Sequence, residues 1–310
     1  MNGTVLAIDI GGTKTLVGLV DRAGSVLLES EQTTRPGAAP EAAVEPGSTD
    51  EFDRAFAFGC EFAASAGVHP VAVAAGAPEY VAADGTVSTS EVLTWQRQPA
   101  ESLLRRATQA FSSPSAGVVP AVLDSDVRLG ALGELRFGAG RGLGSFLYVS
   151  LGTGLSSTLV IDGRPWAGAR GQAIALGERV IGSGANLESF ASGTALTVRY
   201  EAETGERLPG PELVRRANSG DHVAAEVLRT AGEALGDAFA DALELLDPGA
   251  IIVGGGLGSA ETPVMDAARA RYESRAVHRA GGAPLITATC GKRSALLGAA
   301  ARAWGLVQPA

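Results

Sequence analysis

The sequence carries one pattern twice. Residues 5–27, VLAIDIGGTKTLVGLVDRAGSVL, and residues 146–166, FLYVSLGTGLSSTLVIDGRPW, each give an apolar run, a Gly/Thr turn, a second apolar run and a turn holding an aspartate. Apolar runs cornered by glycine at this spacing predict β-hairpins. Their repetition points to two related halves, which 310 residues can accommodate. Elsewhere strands and helices alternate. Residues 33–49 are a Pro/Gly/Ala-rich loop. Ala55, Phe58, Phe62 and Ala66 recur at helical spacing within 51–67, and a buried strand follows at 71–75. A strand at 118–123 leads to a helix at 127–137. A long helix spans 221–246, with Asp221 as its N-cap and Val223, Val227, Ala231, Leu235, Ala238, Ala242 and Leu245 along one face. The strand 250–253, a glycine run, a helix from about Glu261, a strand at 285–289 and a last helix capped by Ser294 complete the chain. This alternation predicts an α/β fold, mixed sheets with helices on their faces.

Composition removes several function classes. Hydrophobic residues make up 45% and charged residues 19% of the chain, which excludes disorder. With 34 acidic against 25 basic residues the net charge is −9, against the Lys/Arg-rich surface that nucleic acid requires. Cys60 and Cys290 stand at no metal spacing, so neither a disulfide scaffold nor a zinc finger is expected. His69, His222 and His278 are scattered. No apolar run approaches the ~18 residues of a membrane span, and the start, MNGTVLAIDI, lacks the marks of a secretory signal. A cytoplasmic protein is expected.

Three glycine clusters and one acidic pair carry the chemistry. Asp9 ends a strand and Gly11, Gly12, Thr13 and Lys14 form the turn after it. Glycines let backbone N–H groups approach an anion, and Thr and Lys add donors. The P-loop spacing G-x-x-x-x-G-K-[ST] is not met, and a plain hairpin turn explains the cluster equally well. Gly152, Thr153 and Gly154 occupy the matching turn of the second hairpin, so the pair could clamp the phosphates of one nucleotide. Gly254, Gly255 and Gly256 follow a strand but lack the acid about 20 residues on that a dinucleotide fold needs. A turn flattened against adenine or ribose fits them better, and close strand–helix packing is the bland alternative. Asp126, in LDSD at 123–126, can serve as a general base, although Asp and Ser at a helix start are ordinary caps. Asp124 lies within the strand end and reads as structural.

In chain order, DIGGTK at 9–14, GAP at 76–78, LGTG at 151–154, ASGTAL at 191–196, DPGAIIVGGG at 247–256 and LLGAA near the end make the chain similar to the ROK family (repressors, open reading frames and sugar kinases) over essentially its whole length. The resemblance implies the two-lobe actin/hexokinase-like (ribonuclease H-like) fold. Its small lobe would be residues 1–122 plus 294–310 and its larger lobe 123–293, with the active-site cleft between them. It also implies a homodimeric kinase that uses ATP and Mg2+ to phosphorylate a hydroxyl of a hexose-type sugar, with no nucleic-acid or membrane partner. Repressors of the family carry a helix-turn-helix ahead of the first hairpin; here the first strand starts by Thr4, so that role is not expected.

By this resemblance Asp9 holds magnesium through water. Gly11, Gly12, Thr13, Lys14, Gly152, Thr153 and Gly154 grip phosphates, and Gly254, Gly255 and Gly256 contact the adenosine. The family's N-D-A-N-A-A-A-L-G-E aligns without gaps on SDVRLGALGE at 125–134, making Asp126 the general base and Ser125 the successor of an Asn. Gly76, Ser125, Glu91, Glu178 and Glu188 are the acceptor-side candidates. Departures concentrate there. The family's G-x-A-G-E-I-G-H aligns with GQAIALGE at 171–178, so its sugar-binding Glu becomes Ala175 and its His becomes Glu178. The cysteine-rich zinc motif is absent, RVIGSGANLE at 179–188 keeping only Glu188 and scattered glycines, and no structural zinc is expected. Glu79 replaces the last glycine of GAPG, and Glu91 replaces the Asn of N-L-P-G-W. Two lost hydrogen bonds to charged groups, at roughly 1.5–3 kcal/mol each, would weaken a usual hexose by about 10²–10⁴-fold. New acids suit a cationic group instead, which favours an amino sugar such as 3-amino-3-deoxyglucose over plain glucose. The alternatives are a plain glucokinase, a non-catalytic sugar- or nucleotide-binding regulator, and, ranked last, a polyphosphate-dependent kinase.

Overall fold

A computed structural model describes residues 3–34, 50–82, 85–87, 104, 108–111, 117–276 and 282–307. The chain forms two compact units, residues 1–141 with 164–173 and 293–310, and residues 142–163 with 174–292.

In the first unit β1 (Val5–Ile10), β2 (Lys14–Val20), β3 (Val26–Thr33), β4 (Val73–Ala77) and β5 (Ala121–Ser125) form one sheet in the order β3-β2-β1-β4-β5. β1 and β2 make the expected antiparallel hairpin, with Ile10 opposite Thr15. β1, β4 and β5 run parallel. Every residue of β1 except Asp9 is buried, because a central strand is covered on both faces. Leu6, Ile8 and Ile10 join Phe52, Ala55 and Phe56 of α1 (Asp50–Ser65) in one core. At the sheet edge, Leu27 and Leu28 of β3 are exposed.

Two helices of this unit are distant in sequence and pressed together. In α2 (Asp126–Phe137) a Cβ added at Gly133 would lie 2.1 Å from the carbonyl oxygen of Ser294. In α7 (Ser294–Val307) one added at Gly298 would lie 1.7 Å from that of Leu129. Only glycine allows backbones to approach so closely. Between them the buried Glu134 accepts from the Ser294 hydroxyl and the Ala139 N–H, each at 2.8 Å. Ser294 is thus the first residue of the last helix and also bonds across it to α2. This packing lies within the first unit, whose first stretch runs to residue 141.

In the second unit β6 (Phe146–Leu151) and β7 (Leu155–Ile161) form the second hairpin, with Leu151 opposite Leu155. β8 (Ile251–Gly254) pairs parallel with β6 on one side and with β9 (Leu285–Thr287) on the other. α3 (Gly193–Thr204), α4 (Gly210–Asn218), α5 (His222–Leu246) and α6 (Pro263–Ala276) supply the helices. Asp221 caps α5, its Oδ1 accepting from Val223 and Ala224 N–H at 3.0 Å. Five residues of the predicted α5 stripe, Val227, Ala231, Leu235, Ala238 and Ala242, are buried, with Ala224, Leu228, Phe239 and Leu243 beside them; its two end members leave the core, Val223 at 37% and Leu245 at 82% exposed. Among the described residues no helix is long and apolar enough to cross a membrane.

Candidate active site

In the first unit the parallel register brings three strand ends together. Asp9 of β1 lies opposite Gly76 of β4, and Gly76 lies opposite Asp124 of β5. Asp126 follows at once as the first residue of α2. Gly76 is the gap between the acids. A Cβ there would be 3.4 Å from the Asp126 Cα and 3.7 Å from Asp9 Oδ1.

The carboxylates differ sharply in environment. Burial pushes the Asp9 carboxyl up to about 6. Asp126 is pushed up to about 7, first by burial and then by the charge of Asp9. Glu79, itself buried at 4% exposure, adds to that rise; the Val127 N–H, 2.6 Å from Asp126 Oδ1, and the Arg128 charge oppose it. Asp126 therefore does part of a cap's work while being held in its proton-binding range, where a general base is most effective. Asp124 is the structural acid. Its Oδ1 accepts from the Ser125 N–H at 2.8 Å and from Arg128 Nε at 2.7 Å. Ser125 is buried and its side chain makes no capping bond.

The first glycine turn is closed by Gly11 N–H to Lys14 O at 2.9 Å and clamped from outside by Thr34. Thr34 donates its hydroxyl to Gly11 O at 2.7 Å and its N–H to Thr13 O at 2.9 Å. Gly12 is half-buried and Thr13 exposed at the tip. Lys14 stands on the surface and pairs with Glu31 at 2.6 Å.

In the second unit the other glycine turns meet. Gly152 N–H donates to Gly154 O at 2.9 Å, and the start of α3 reaches back through Gly193 N–H to Gly152 O and Thr194 N–H to Thr153 O. This is where ASGTAL, at 191–196, joins LGTG. Ser192 caps α3 by accepting from Ala195 N–H at 3.2 Å. A Cβ on Gly152 would come within 3.6 Å of Gly256 N, so the 152–154 and 254–256 turns are adjacent. Gly255 has φ +81°, and a Cβ there would strike Leu151 O at 2.3 Å; Gly254 is packed against Tyr148 Oη, and Gly256 faces open space. Backbone N–H groups cornered this way are suited to anions.

The Glu188 carboxylate lies beside the same turn, 3.1 Å from a Cβ position on Gly154 and 3.2 Å from one on Gly177. Glu178 is exposed, and Asn186 Nδ2 donates to it at 3.4 Å. Glu91 lies outside the described residues. Among the described residues no three His, Cys, Asp or Glu side chains are grouped to hold a metal ion. Two residues escaped the motif reading. Thr34 lies just past the first hairpin, and Arg128 is a lone charge in VRLGALG, four residues after Asp124; that spacing was its signal.

The ROK family model matches residues 5–305. The chain is 31% identical to a glucokinase of Streptomyces coelicolor, with 96% of each chain covered. It is 30% identical to a kanosamine kinase of Amycolatopsis mediterranei, over 97% of this chain and 96% of that one. Among solved structures, a ROK family glucokinase from Streptomyces griseus in complex with glucose and AMPPNP superposes with a TM-score of 0.78 at 28% identity, covering 97% of this chain and 99% of the other. The two mixed sheets flanked by helices are those of the actin/hexokinase-like fold. With the paired glycine hairpins, the strand-end acids and the family pattern running from the first strand to the last helix, the chain belongs to the ROK family.

Proposed function

We propose that this sugar kinase transfers the terminal phosphoryl group of ATP to a hydroxyl of an amino hexose, with Asp126 as the general base. The observation that carries the reading is the pairing of Asp126 with Asp9 across Gly76, which leaves Asp126 with a carboxyl near 7. A base poised there takes a hydroxyl proton at neutral pH. The acids lie in the first unit. In the second unit the Gly152–Gly154 and Gly254–Gly256 turns have N–H groups and an open Gly256 face that suit phosphate and ribose.

Asp9 fits magnesium: it is a half-buried hard-oxygen donor at a strand end whose charge is costly alone, and Mg2+ is commonly held by one or two carboxylates together with phosphates. When bound, the ion neutralises phosphate charge. Asp126 accepts the hydroxyl proton, and the Val127 N–H holds its Oδ1 in place.

The amino sugar rests on charge. Asp9 and Glu79 both act by their charge on Asp126, which gathers three carboxylates in one unit, and a substrate ammonium would sit favourably beside them where a neutral hexose would not. The similarity to a kanosamine kinase supports the same choice. Similarity to glucokinases supports plain glucose as the second reading. The test is ADP release and 31P NMR with purified protein, ATP and Mg2+ over glucose, mannose, N-acetylmannosamine, glucosamine and 3-amino-3-deoxyglucose. Higher kcat/KM for 3-amino-3-deoxyglucose than for glucose is expected. Equal or better use of glucose makes the protein a glucokinase, and no turnover of any sugar overturns the kinase reading.

A further inference from the structure

Arg128 is a buried arginine, 7% exposed, on the first turn of α2, two residues beyond Asp126. In the alignment of SDVRLGALGE with the family pattern it stands where an Asn is usual. Its guanidinium reaches three segments at once. Nε and Nη2 bond Asp124 Oδ1 at 2.7 and 2.5 Å, Nη2 donates to Val81 O at 2.6 Å, and Nη1 donates to Gly171 O at 3.1 Å. The two carbonyls belong to strips of backbone that touch: Gly171 has φ +78°, and a Cβ there would come within 2.3 Å of Val81 O and 2.7 Å of the Ala82 Cα. A planar fork of five donors can serve a carboxylate and two carbonyls from fixed directions, which a point-charge ammonium cannot.

We infer that Arg128 is a positioning residue that ties the segment around Glu79–Ala82 and the segment beginning at Gly171 to the helix turn bearing Asp126, and so fixes the acceptor hydroxyl against its base. The inference rests on Asp126 being that base. The segments are the ones that matter for the acceptor. One carries Glu79, and Gly171 opens GQAIALGE, the stretch aligned with the family's acceptor motif. Neither strip is part of the sheet: β4 ends at Ala77, and residues 164–173 are a short return into the first unit. The Arg128 bonds therefore connect irregular backbone to a rigid helix start. Asp124 is the anchor, itself held by the Ser125 N–H on the last residue of β5. A displacement of about 1 Å between reacting groups is enough to cost on the order of 10²-fold in rate.

The test uses Arg128→Met, which keeps the apolar stem and removes every donor, and Arg128→Lys, which keeps the charge without the fork. In Arg128→Met the KM for the sugar rises by about tenfold or more, kcat falls, and the KM for ATP stays within about twofold, since two charged hydrogen bonds are lost on the acceptor side only. Arg128→Lys recovers part of this, holding Asp124 and at most one carbonyl. Backbone hydrogen exchange follows the strap directly: amides at 79–82 and 171–173 exchange faster in Arg128→Met while those of β1 and β2 do not change. Should Arg128→Met fail to fold, Asp124→Asn loosens the anchor with its shape retained and gives the same split in milder form. An unchanged sugar KM, or a parallel loss in kcat and in both KM values with uniform exchange, overturns the inference. A wild-type protein without turnover of any sugar overturns the base assignment instead, and unprotected amides at 79–82 in the wild type overturn the strap whatever the activity.

Discussion

Replacing Asp126 by Asn should make the protein more stable and nearly inactive. The Asp126 carboxyl moves from an ordinary 3.8 to about 7 on folding, roughly three units. At 1.36 kcal/mol per unit the ionised side chain costs the folded state about 4 kcal/mol. Because the carboxyl is only part-buried and shares its strain with Asp9, we take about 2–4 kcal/mol as the range. The sign follows from proton counting. Between pH 3.8 and about 7 the folded state holds a proton that the unfolded state has released, so stability falls as pH rises through this window and levels off above it. Asn carries no charge and can keep the bond from the Val127 N–H. Its advantage over Asp is thus about 1–2 kcal/mol at pH 5 and reaches its full value by pH 8. Trp166 and Trp304 lie in the first unit, so urea unfolding followed by tryptophan fluorescence in metal-free buffer reports on it. Activity at pH 8 should drop by about 10²–10⁴-fold. A variant less stable than wild type at pH 8, or equally favoured at pH 5 and pH 8, would refute the claim that this charge is strained.

Two further outcomes are open to direct measurement. Gly298→Ala places a Cβ 1.7 Å from the backbone oxygen of Leu129; it should cost several kcal/mol, about 3 or more, seen as a lower thermal midpoint or loss of folded protein, whereas Gly305→Ala, with no atom within 4 Å, should be neutral. Gly255→Ala combines φ +81° with a Cβ 2.3 Å from Leu151 O, so it should raise the KM for ATP by about tenfold or more while leaving the KM for sugar nearly unchanged.

What was legible in the sequence was what is local. Both hairpins appear where the Gly/Thr turns predict them, and the Asp221 cap and the glycine run after β8 are carried by neighbouring residues. The close helix pair was not legible. Gly133 and Gly298 are each unremarkable in their own helices, and only their contact shows the pairing. The acceptor side was the hardest to read, because a single substituted residue does not announce its direction: Glu178 is exposed against Asn186 while Glu79 is buried near Asp126. Lys14, grouped by pattern with the phosphate turn, pairs with Glu31 on the surface, where such a bridge contributes little.

Asp124 and Asp126 show how one strand end holds two acids in different electrostatic states. They lie two residues apart at the same strand end and have the same chemistry. Asp124 is matched by the Arg128 guanidinium and a backbone N–H, so its charge is spent within the fold. Asp126 has one backbone donor and faces two acids of the same sign, Asp9 and Glu79, so part of its charge is left for something outside the chain. Gly76 keeps that space open, since a side chain there would stand against Leu129 and crowd both Asp126 and Asp9. A single Asn would relieve this strain, and on the proposed reading it would also remove the base. Strain of this kind persists where it is used.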